Sequence, residues 1–354
     1  MTVDPRAVTA AYERWLGRRI PVVPEDLELK HRMLAADRVR FLRGTYYLWL
    51  ERVAELVPEL MVGPEVPAVG DLHVQNFGTW LDRRGVRRWG VNDLDEVAWG
   101  TPALDLLRLA VSAVLTPQVT IGPKRICRVL LDGWSKARPG RAIDLADDGA
   151  RHLRALVPQP ESAKRYCDRL SDAPPADPSE IPEQVRRAAV HSVAPDWQPV
   201  WHHREAGIGS LGRPRFVAVS KDVAREVKLL GPPTVLFVRE HAGGVHWPQP
   251  DDLLYGRVLT NVRGPDPMRR VDGWQLRSLS PDVQRITIEK LHPRDAERVL
   301  TSMARAAADV HGISPDHLAA ARLQLSDLPP TWLHHAVERL TADTTELYQK
   351  YSHP

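Results

Sequence analysis

The chain has 354 residues, 43% hydrophobic and 26% charged, which is the balance of a folded globular protein and not of a disordered or fibrous one. Its 48 basic residues nearly offset 45 acidic ones and form no conspicuous block, so we expect no nucleic-acid partner. The N-terminus has no basic start followed by an apolar run, and no stretch approaches about 18 apolar residues. We therefore expect a cytoplasmic protein without a signal peptide or a membrane partner. Two cysteines, Cys127 and Cys167, make no disulfide framework and are expected to be reduced.

The first half of the chain is predicted to be mainly helical. A short helix is expected within residues 1–20, and the apolar spacing from Asp26 to Val57 suits one or two amphipathic helices. Prolines between 58 and 67 indicate a loop, and short extended segments follow around Ala68 and at Arg88–Val91. Further helical patterns occupy 102–116, 122–136, 146–156 and 161–170, before a Pro/Asp/Ser linker at 171–181.

After this linker the pattern changes to strands and then returns to helices. β-branched and aromatic runs bounded by Gly and Pro predict strands at Phe216–Val219 and Thr234–Val238, with a weaker third at Gly273–Leu279. A helical pattern resumes at Val283. It includes a periodic segment from Glu297 to Val310 that stops at His311-Gly312, and a final helix from Thr331 to about Tyr351.

The most specific motif is the run Gly-Asp-Leu-His-Val-Gln-Asn-Phe-Gly at 70–78. An Asp followed five positions later by Asn, here Asp71 and Asn76, is the catalytic-loop spacing of kinases. A carboxylate is aimed at the acceptor hydroxyl while an amide oxygen returns to a magnesium ion. A second acidic cluster follows at 92–96, where Asp93 fits the main metal carboxylate and Asp95 is a second candidate.

Two residues near these motifs are expected to serve the structure. His73 is interpreted as a residue that orients the loop and not as a base. Asp105 lies in Gly100–Leu106, which starts a helix, and is interpreted as a first-turn or buried structural Asp.

These blocks resemble two groups of proteins. Gly70–Asn76, Asn92-Asp93 and Gly100–Leu106 are similar to blocks of the aminoglycoside and choline phosphotransferases. The closer resemblance is to the bacterial domain-of-unknown-function 2252 family, whose G-D-x-H-x-x-N-F-G and N-D-F-D-E blocks match Gly70–Gly78 and Asn92–Glu96. Its G-P-x-x-x-D-x-x-R-L block is similar to Gly100–Leu109. The resemblance implies a protein-kinase-like fold that binds ATP and Mg²⁺.

The second chemical element is the glycine-rich run at 207–212. A strand follows it, so it is interpreted as the phosphate-covering hairpin turn of a kinase and not as the start of a dinucleotide-binding helix. A plain glycine-rich turn is the alternative. The residues expected to cover the phosphates are Gly207, Gly209, Ser210 and Gly212.

The resemblance supplies further cofactor contacts. Its V-K-E block is matched to Val238-Arg239-Glu240, at the end of the predicted strand from 234, with Arg239 in place of the phosphate-binding lysine. Asp251 or Asp252 is the expected acidic partner of Arg239, although helix capping explains either residue equally well. The segment Trp274–Asp282 resembles the crossing between lobes, which implies that Arg277 and Leu279 line the adenine pocket.

The order of the motifs predicts a circular permutation, because the catalytic loop precedes the glycine loop. We expect an α+β, two-lobed, protein-kinase-like fold in four parts. These are an N-terminal helical segment at 1–65, the first part of the catalytic lobe at 66–198, a β-rich nucleotide-binding lobe at 199–285, and helices at 286–354 that complete the large lobe. The helix ending at His311 would then be the one that leads into the catalytic loop.

The predicted function is ATP- and magnesium-dependent transfer of a phosphoryl group to a hydroxyl of a small-molecule or peptide acceptor, with Asp71, Asn76 and Asp93 as the catalytic residues. A catalytically silent nucleotide-binding module is one alternative. A metal-dependent phosphoesterase is another, although the chain has no G-N-H-E/D run. The sequence names neither the acceptor nor an oligomeric state.

Overall fold

A computed structural model describes residues 3–353 except 83, 139, 141, 206, 242–246, 248–250, 252, 264–267 and 285–291. The described part is an α+β protein whose strands form three small antiparallel sheets. None of its described helices is both long and apolar enough to cross a membrane.

Four helices precede the first strand: α1 (Pro5–Gly17), α2 (Pro24–Ala36), α3 (Arg38–Gly44) and α4 (Tyr46–Leu56). The expectation of one or two helices between 26 and 57 was wrong, because the backbone leaves the helical conformation twice, at Asp37 and at Thr45, and three helices result. Asp37 makes the first break. Its backbone is extended, and its carboxylate accepts the N–H of Arg40 at 2.8 Å, which caps α3 and starts a new helix. The four helices share one hydrophobic core with the helices that follow the two motifs and with those of the C-terminus.

Residues 66–144, which contain both motifs, form two small sheets and two α-helices. Strands β1 (Val66–Ala68), β2 (Phe77–Leu81), β3 (Arg87–Val91) and β4 (Ala98–Gly100) are followed by α5 (Pro102–Leu115), α6 (Pro123–Ser135) and β5 (Ile143–Asp144). Strand β1 pairs with β4, and β3 lies between β2 and β5. The two motif loops, 69–76 and 92–97, therefore leave the same small sheets.

A five-stranded sheet follows three short helices, α7 (Arg151–Arg154), α8 (Ala163–Ser171) and α9 (Glu183–His191). Its strands are β6 (Val200–His203), β7 (Arg215–Ser220), β8 (Val223–Leu229), β9 (Arg269–Val271) and β10 (Trp274–Leu279), in the order β6-β7-β8-β10-β9. Helix α9 packs on one face of the sheet and α8 on part of the other. The predicted strands at 216–219 and 273–279 are confirmed.

The predicted strand at Thr234–Val238 is wrong, because this segment forms helix α10 (Thr234–His241). Pro232 and Pro233 end the extended chain before it. Phe237 then packs edge-on against Tyr12 at 5.3 Å between ring centroids. Burial against the N-terminal helices thus overrides the strand preference of the β-branched residues.

The remaining elements are helical: α11 (Leu254–Val258), α12 (Pro293–His311), α13 (Pro315–Asp327) and α14 (Trp332–Ser352). Helix α12 packs along α6, and α14 packs along α5. The chain thus places the β-rich part between two helical parts that join in a single core.

Candidate functional site

The loop at 69–76, which contains Asp71, is anchored at its start by Asp105, in the first turn of α5. Its carboxylate accepts the backbone N–H groups of Val69 at 2.7 Å and of Gly70 at 2.9 Å. Gly70 has φ +81°, and a Cβ there would lie 2.5 Å from the carbonyl oxygen of Glu96, so only glycine fits this turn. Asp105 is thus a structural residue, as the sequence suggested.

Asp105 also joins the loop to the end of α12. The indole N–H of Trp134 donates to Nδ1 of His311 at 2.8 Å. The indole nitrogen can only donate, so Nε2 of His311 carries the ring proton and donates to Asp105 at 2.9 Å. These buried groups hold His311-Gly312 beside the entry to the Asp71 loop.

Asp71 is held by Arg108, a residue to which the sequence analysis gave no role. Nε of Arg108 donates to Oδ1 of Asp71 at 2.7 Å, and Nη2 contacts the same oxygen. The Arg108 side chain is 0% exposed, and its guanidinium lies over the rings of Tyr46 and Trp49, 4.8 and 4.9 Å from their centroids. The only sequence signal for this role was the Arg in the block at 100–109.

Burial raises the pKa of Asp71 to about 6, and the positive charge of Arg108 opposes that rise. A carboxyl with this pKa is largely ionised at neutral pH and still basic enough to accept a proton. Arg108 fixes Oδ1, so Oδ2 is the oxygen left to face a reacting group.

The hairpin of β2 and β3 brings the second motif to the first. Phe77 pairs with Val91, and the N–H of Asn92 donates to the carbonyl of Asn76 at 2.7 Å. Nδ2 of Asn76 donates to the carbonyl oxygen of Asp71 at 2.5 Å, which leaves Oδ1 as the acceptor atom of this amide. The structure therefore brings Asp71, Asn76 and Asp93 together.

A small cavity of about 50 Å³ opens between these loops. Its lining includes Asp71, Asn76, Asp93 and Asp95 from the two motif loops, and Gly207, Gly209 and Ser210 from the glycine loop. The side chain of Asp93 is 40% exposed, whereas that of Asp95 is nearly buried. Among the described residues, no group of three or more His, Cys, Asp and Glu side chains forms a metal site by itself.

Lys228, which the sequence analysis did not single out, reaches the acidic cluster from β8. Its side chain is 4% exposed, and Nζ lies 2.5 Å from Oδ2 of Asp95 and 4.0 Å from Oδ1 of Asp93. Burial raises the pKa of Asp95, the charge of Asp93 adds to the rise, and Lys228 opposes it. The sequence signal that could have identified this lysine is the dipeptide Val227-Lys228, on the second strand after the glycine loop.

Arg239 does not take that position. It lies on α10, next to Glu240, whose carboxylate accepts the indole N–H of Trp15 at 2.8 Å and binds Arg19. The described residues that line the cavity do not include Arg239. The placement of Arg239 at a strand end is thus corrected. Its expected partner Asp252 lies outside the described residues. Asp251 accepts the indole N–H of Trp99 at 3.3 Å and forms an ion pair with Arg257 at 3.8 Å.

The glycine loop joins two paired strands, as predicted, since β6 and β7 are antiparallel neighbours. A 3₁₀ turn at Ile208–Ser210 forms its tip. A Cβ at Gly209 would lie 3.8 Å from Oδ2 of Asp71, and Gly212 has φ +92°. The loop therefore lies directly over the carboxylate of Asp71.

The sheet face that carries Lys228 also carries a buried charge network around Glu226, two residues earlier on β8. Glu226 is 0% exposed and binds Arg204, Arg215 (3.7 Å) and Arg277 (2.6 Å). Burial alone would raise the pKa of Glu226, but the three guanidinium groups hold it well below its usual value. Arg215 also donates to the hydroxyl of Ser210 at 3.0 Å, so the network reaches the glycine loop.

The resemblance implied that Arg277 and Leu279 line an adenine pocket. Both residues contact other parts of the protein. Arg277 binds Glu226. Leu279 lies in a hydrophobic cluster with Tyr166 and Cys167 of α8. The structure places neither of them on the cavity that contains Asp71.

The wall of the cavity also includes Arg43, Val69, His73, Glu96 and Arg213. His73 is buried within the loop, and its Nε2 lies 3.3 Å from Nε of Arg43. Arg43 also donates to the side-chain oxygen of Gln75. These contacts agree with a loop-orienting role for His73 and add Arg43, on α3, to the site.

Comparison with known proteins gives one finding. Residues 19–131 match the family described as "Uncharacterized protein conserved in bacteria (DUF2252)", which supports the resemblance over the segment that holds both motif loops and α5. No curated protein and no solved structure has significant similarity to the chain.

Proposed function

We propose that the chain is a kinase-like phosphotransferase that moves the terminal phosphoryl group of ATP to a hydroxyl of a small-molecule acceptor. The observation that carries this proposal is the position of Gly209 over Asp71, where a Cβ would lie 3.8 Å from Oδ2. Kinases cover the transferred phosphate with a glycine loop and address the acceptor with an Asp that precedes an Asn by five positions. Both parts meet at this cavity.

In this proposal Asp71 orients the acceptor hydroxyl and takes its proton on Oδ2. Arg108 binds Oδ1 and is itself fixed by the carbonyl of Leu42 at 2.9 Å and by two aromatic rings. A carboxylate held by a rigid buried partner is pre-organised, so little reorganisation is needed when the reaction occurs.

The residues present fit a Mg²⁺ ion that is shared with phosphate oxygens. Asp93 presents a partly exposed carboxylate and Asn76 an amide oxygen to the same cavity, and Mg²⁺ needs only one or two protein carboxylates when phosphates and water complete its shell. When bound, the ion would neutralise charge on the transferred phosphate. Lys228 adds a fixed positive charge beside Asp93, and Asp95 holds that lysine in place.

The cavity volume adds a condition. About 50 Å³ accommodates a phosphoryl group, whereas pockets for drug-sized ligands usually measure about 300–1,000 Å³. The cavity is thus the place of the transferred phosphoryl group, and in this proposal the glycine loop moves away from Asp71 to admit ATP. Arg215 donates to the hydroxyl of Ser210 and so tethers the loop. Such a movement would change this contact.

A permuted two-lobed kinase-like fold accompanies this proposal. Its support is the sheet of β6–β10, which carries both the glycine loop and Lys228 and faces the loops at 69–76 and 92–97. Further support is the contact of His311 with Asp105, which sets the end of α12 beside the entry to the Asp71 loop.

A catalytically silent nucleotide- or phosphate-binding module is the second candidate, and the Glu226 network favours it. Nucleotide bases are held largely by apolar surfaces, and this sheet face instead carries Glu226 with Arg204, Arg215 and Arg277. Such a module would bind the phosphates and transfer none.

The deciding experiment is incubation of the protein with Mg²⁺, ATP labelled on its terminal phosphate, and a small-molecule extract. We expect label in a new small-molecule product, and no such product with Asp71→Asn. Binding of ATP with Mg²⁺ by calorimetry, without transfer to any fraction, would establish the silent module. Absence of both binding and transfer would remove the nucleotide site altogether.

A further inference from the structure

A larger cavity lies next to the one that contains Asp71. Its volume is about 620 Å³, within the usual range for small-molecule sites, and Arg43 and Gly207 line both cavities. We call it the α3 groove, because α3 and the residue that caps it form one of its walls. The two cavities are therefore neighbours that meet at Arg43 and Gly207.

The walls of the groove have two characters. Apolar surface comes from Met33, Leu115 and Tyr348, which belong to α2, α5 and α14. Positive charge comes from Arg38 and Arg40, both exposed, and from the half-buried Arg43. An occupant that matches both needs an apolar body and a negative group.

The single acidic residue among the described lining residues is already engaged. Asp37 caps α3, with Oδ1 accepting the N–H of Arg40 at 2.8 Å, and its Oδ2 lies 3.1 Å from the Arg40 guanidinium. The lining therefore carries three positive charges against one negative charge. A cationic acceptor would be repelled by this excess, and an anionic one attracted.

We propose that the α3 groove binds the phosphoryl acceptor, and that this acceptor is a small hydroxyl compound bearing an anionic group, such as a carboxylate or a phosphate, on an apolar body. That the bound compound is a phosphoryl acceptor rests on the proposed function. That the groove binds an anionic compound does not. The groove shares a wall with the cavity of Asp71, so the hydroxyl can enter that cavity while the anion stays with Arg38 and Arg40. The charge also separates this chain from phosphotransferases whose acceptors are cations.

Three phenols that differ in one terminal group, which is negative, neutral or positive, test the proposal. Para-hydroxyphenylacetate, tyrosol and tyramine share a phenol ring and end in a carboxylate, a hydroxyl and an ammonium group. Their dissociation constants are measured by ligand-observed NMR titration on the full chain. We expect para-hydroxyphenylacetate to bind about tenfold more tightly than tyramine, with tyrosol between them, since each exposed ion pair contributes a factor of roughly 1.4 to 5.

The variant Arg38→Gln/Arg40→Gln should reduce this preference to about twofold or less. Its matched control is Arg151→Gln/Arg165→Gln, which changes net charge equally at side chains that are 76% and 83% exposed on α7 and α8. Tyramine binding as well as the carboxylate, an equal effect of the control pair, or no binding of any probe at millimolar concentration would each overturn the proposal.

The melting shift caused by ATP with Mg²⁺ is measured on the same variants and should not change, because Arg38 and Arg40 do not line the cavity that contains Asp71. If that shift is absent in every variant while the carboxylate preference holds, phosphoryl transfer fails and the groove remains an anion-binding site. If the shift is present and the preference absent, the groove assignment fails alone.

Discussion

The Nζ atom of Lys228 lies 2.5 Å from Oδ2 of Asp95 and ties the five-stranded sheet to the acidic loop after β3. The two residues are 133 positions apart in the chain. Both are nearly buried, so the pair is poorly screened by solvent. The same Nζ lies 4.0 Å from Oδ1 of Asp93, so the lysine places a positive charge beside two carboxylates of this loop.

We expect Lys228→Met to weaken binding of ATP with Mg²⁺ by about tenfold or more, because the positive charge beside Asp93 and Asp95 is lost while an unbranched side chain of nearly the same length is kept. Arg239→Ala, on α10, should change the affinity less than twofold. Isothermal calorimetry on both variants, with folding checked by circular dichroism, measures the difference. An equal loss in Arg239→Ala would return the phosphate contact to Arg239.

Asp71→Asn should abolish transfer and leave ATP affinity nearly unchanged, because Asp71 addresses the acceptor and not the nucleotide. Asp93→Ala should weaken the magnesium-dependent part of ATP binding, because a metal ligand is lost. Turnover and calorimetric affinity, each with and without Mg²⁺, separate the two roles. Full turnover by Asp71→Asn would contradict the catalytic assignment.

The pH dependence follows from the pKa of Asp71, which burial raises to about 6. Only the ionised carboxylate accepts a proton, so kcat/KM should rise with pH, with a midpoint near 6, and level off above it. A rate that is flat from pH 5 to 8 would show that ionisation of Asp71 does not limit the reaction.

The same shift affects stability with the opposite sign. Between the ordinary Asp value of 3.8 and about 6, the folded protein holds this proton more tightly than the unfolded chain does. The contribution of Asp71 to the free energy of unfolding should therefore fall as pH rises through that window and be smallest above it. Urea unfolding of the parent and of Asp71→Asn measures this: across the window, the free energy of unfolding of the parent should fall relative to that of the variant as pH rises. A constant difference would contradict the shift.

Glu226→Gln should lower the free energy of unfolding by about 3–5 kcal/mol, because three buried or half-buried guanidinium groups lose their shared counter-charge. The matched control is Glu183→Gln, whose side chain is 63% exposed and pairs with Arg187 within α9, and it should cost less than about 1 kcal/mol. Both values come from urea unfolding at one pH. A small effect of Glu226→Gln would mean that the arginines find other partners.

Local chemistry in the sequence determined much of the site. Gly70 and Asp71 mark a turn that only glycine can make, and the strand after the glycine run identified a hairpin correctly. The helical pattern at 102–116 and the periodic segment at 297–310 correspond to α5 and to most of α12, although α12 begins at Pro293 and not at Val283. Each of these signals lies within a few residues of the feature it predicts, so the sequence alone carries them.

Tertiary structure decided the partners. Arg108 and Asp71 are 37 positions apart, and no local pattern relates a buried guanidinium to a particular carboxylate. The segment at 234–241 has the β-branched composition of a strand, yet becomes a helix because Phe237 packs against the N-terminal aromatic residues. Arg239 therefore lies on a helix, and Lys228 of β8 is the lysine that pairs with Asp95. Burial and long-range packing are set by the whole chain, and they override a local propensity that is worth about 1 kcal/mol or less.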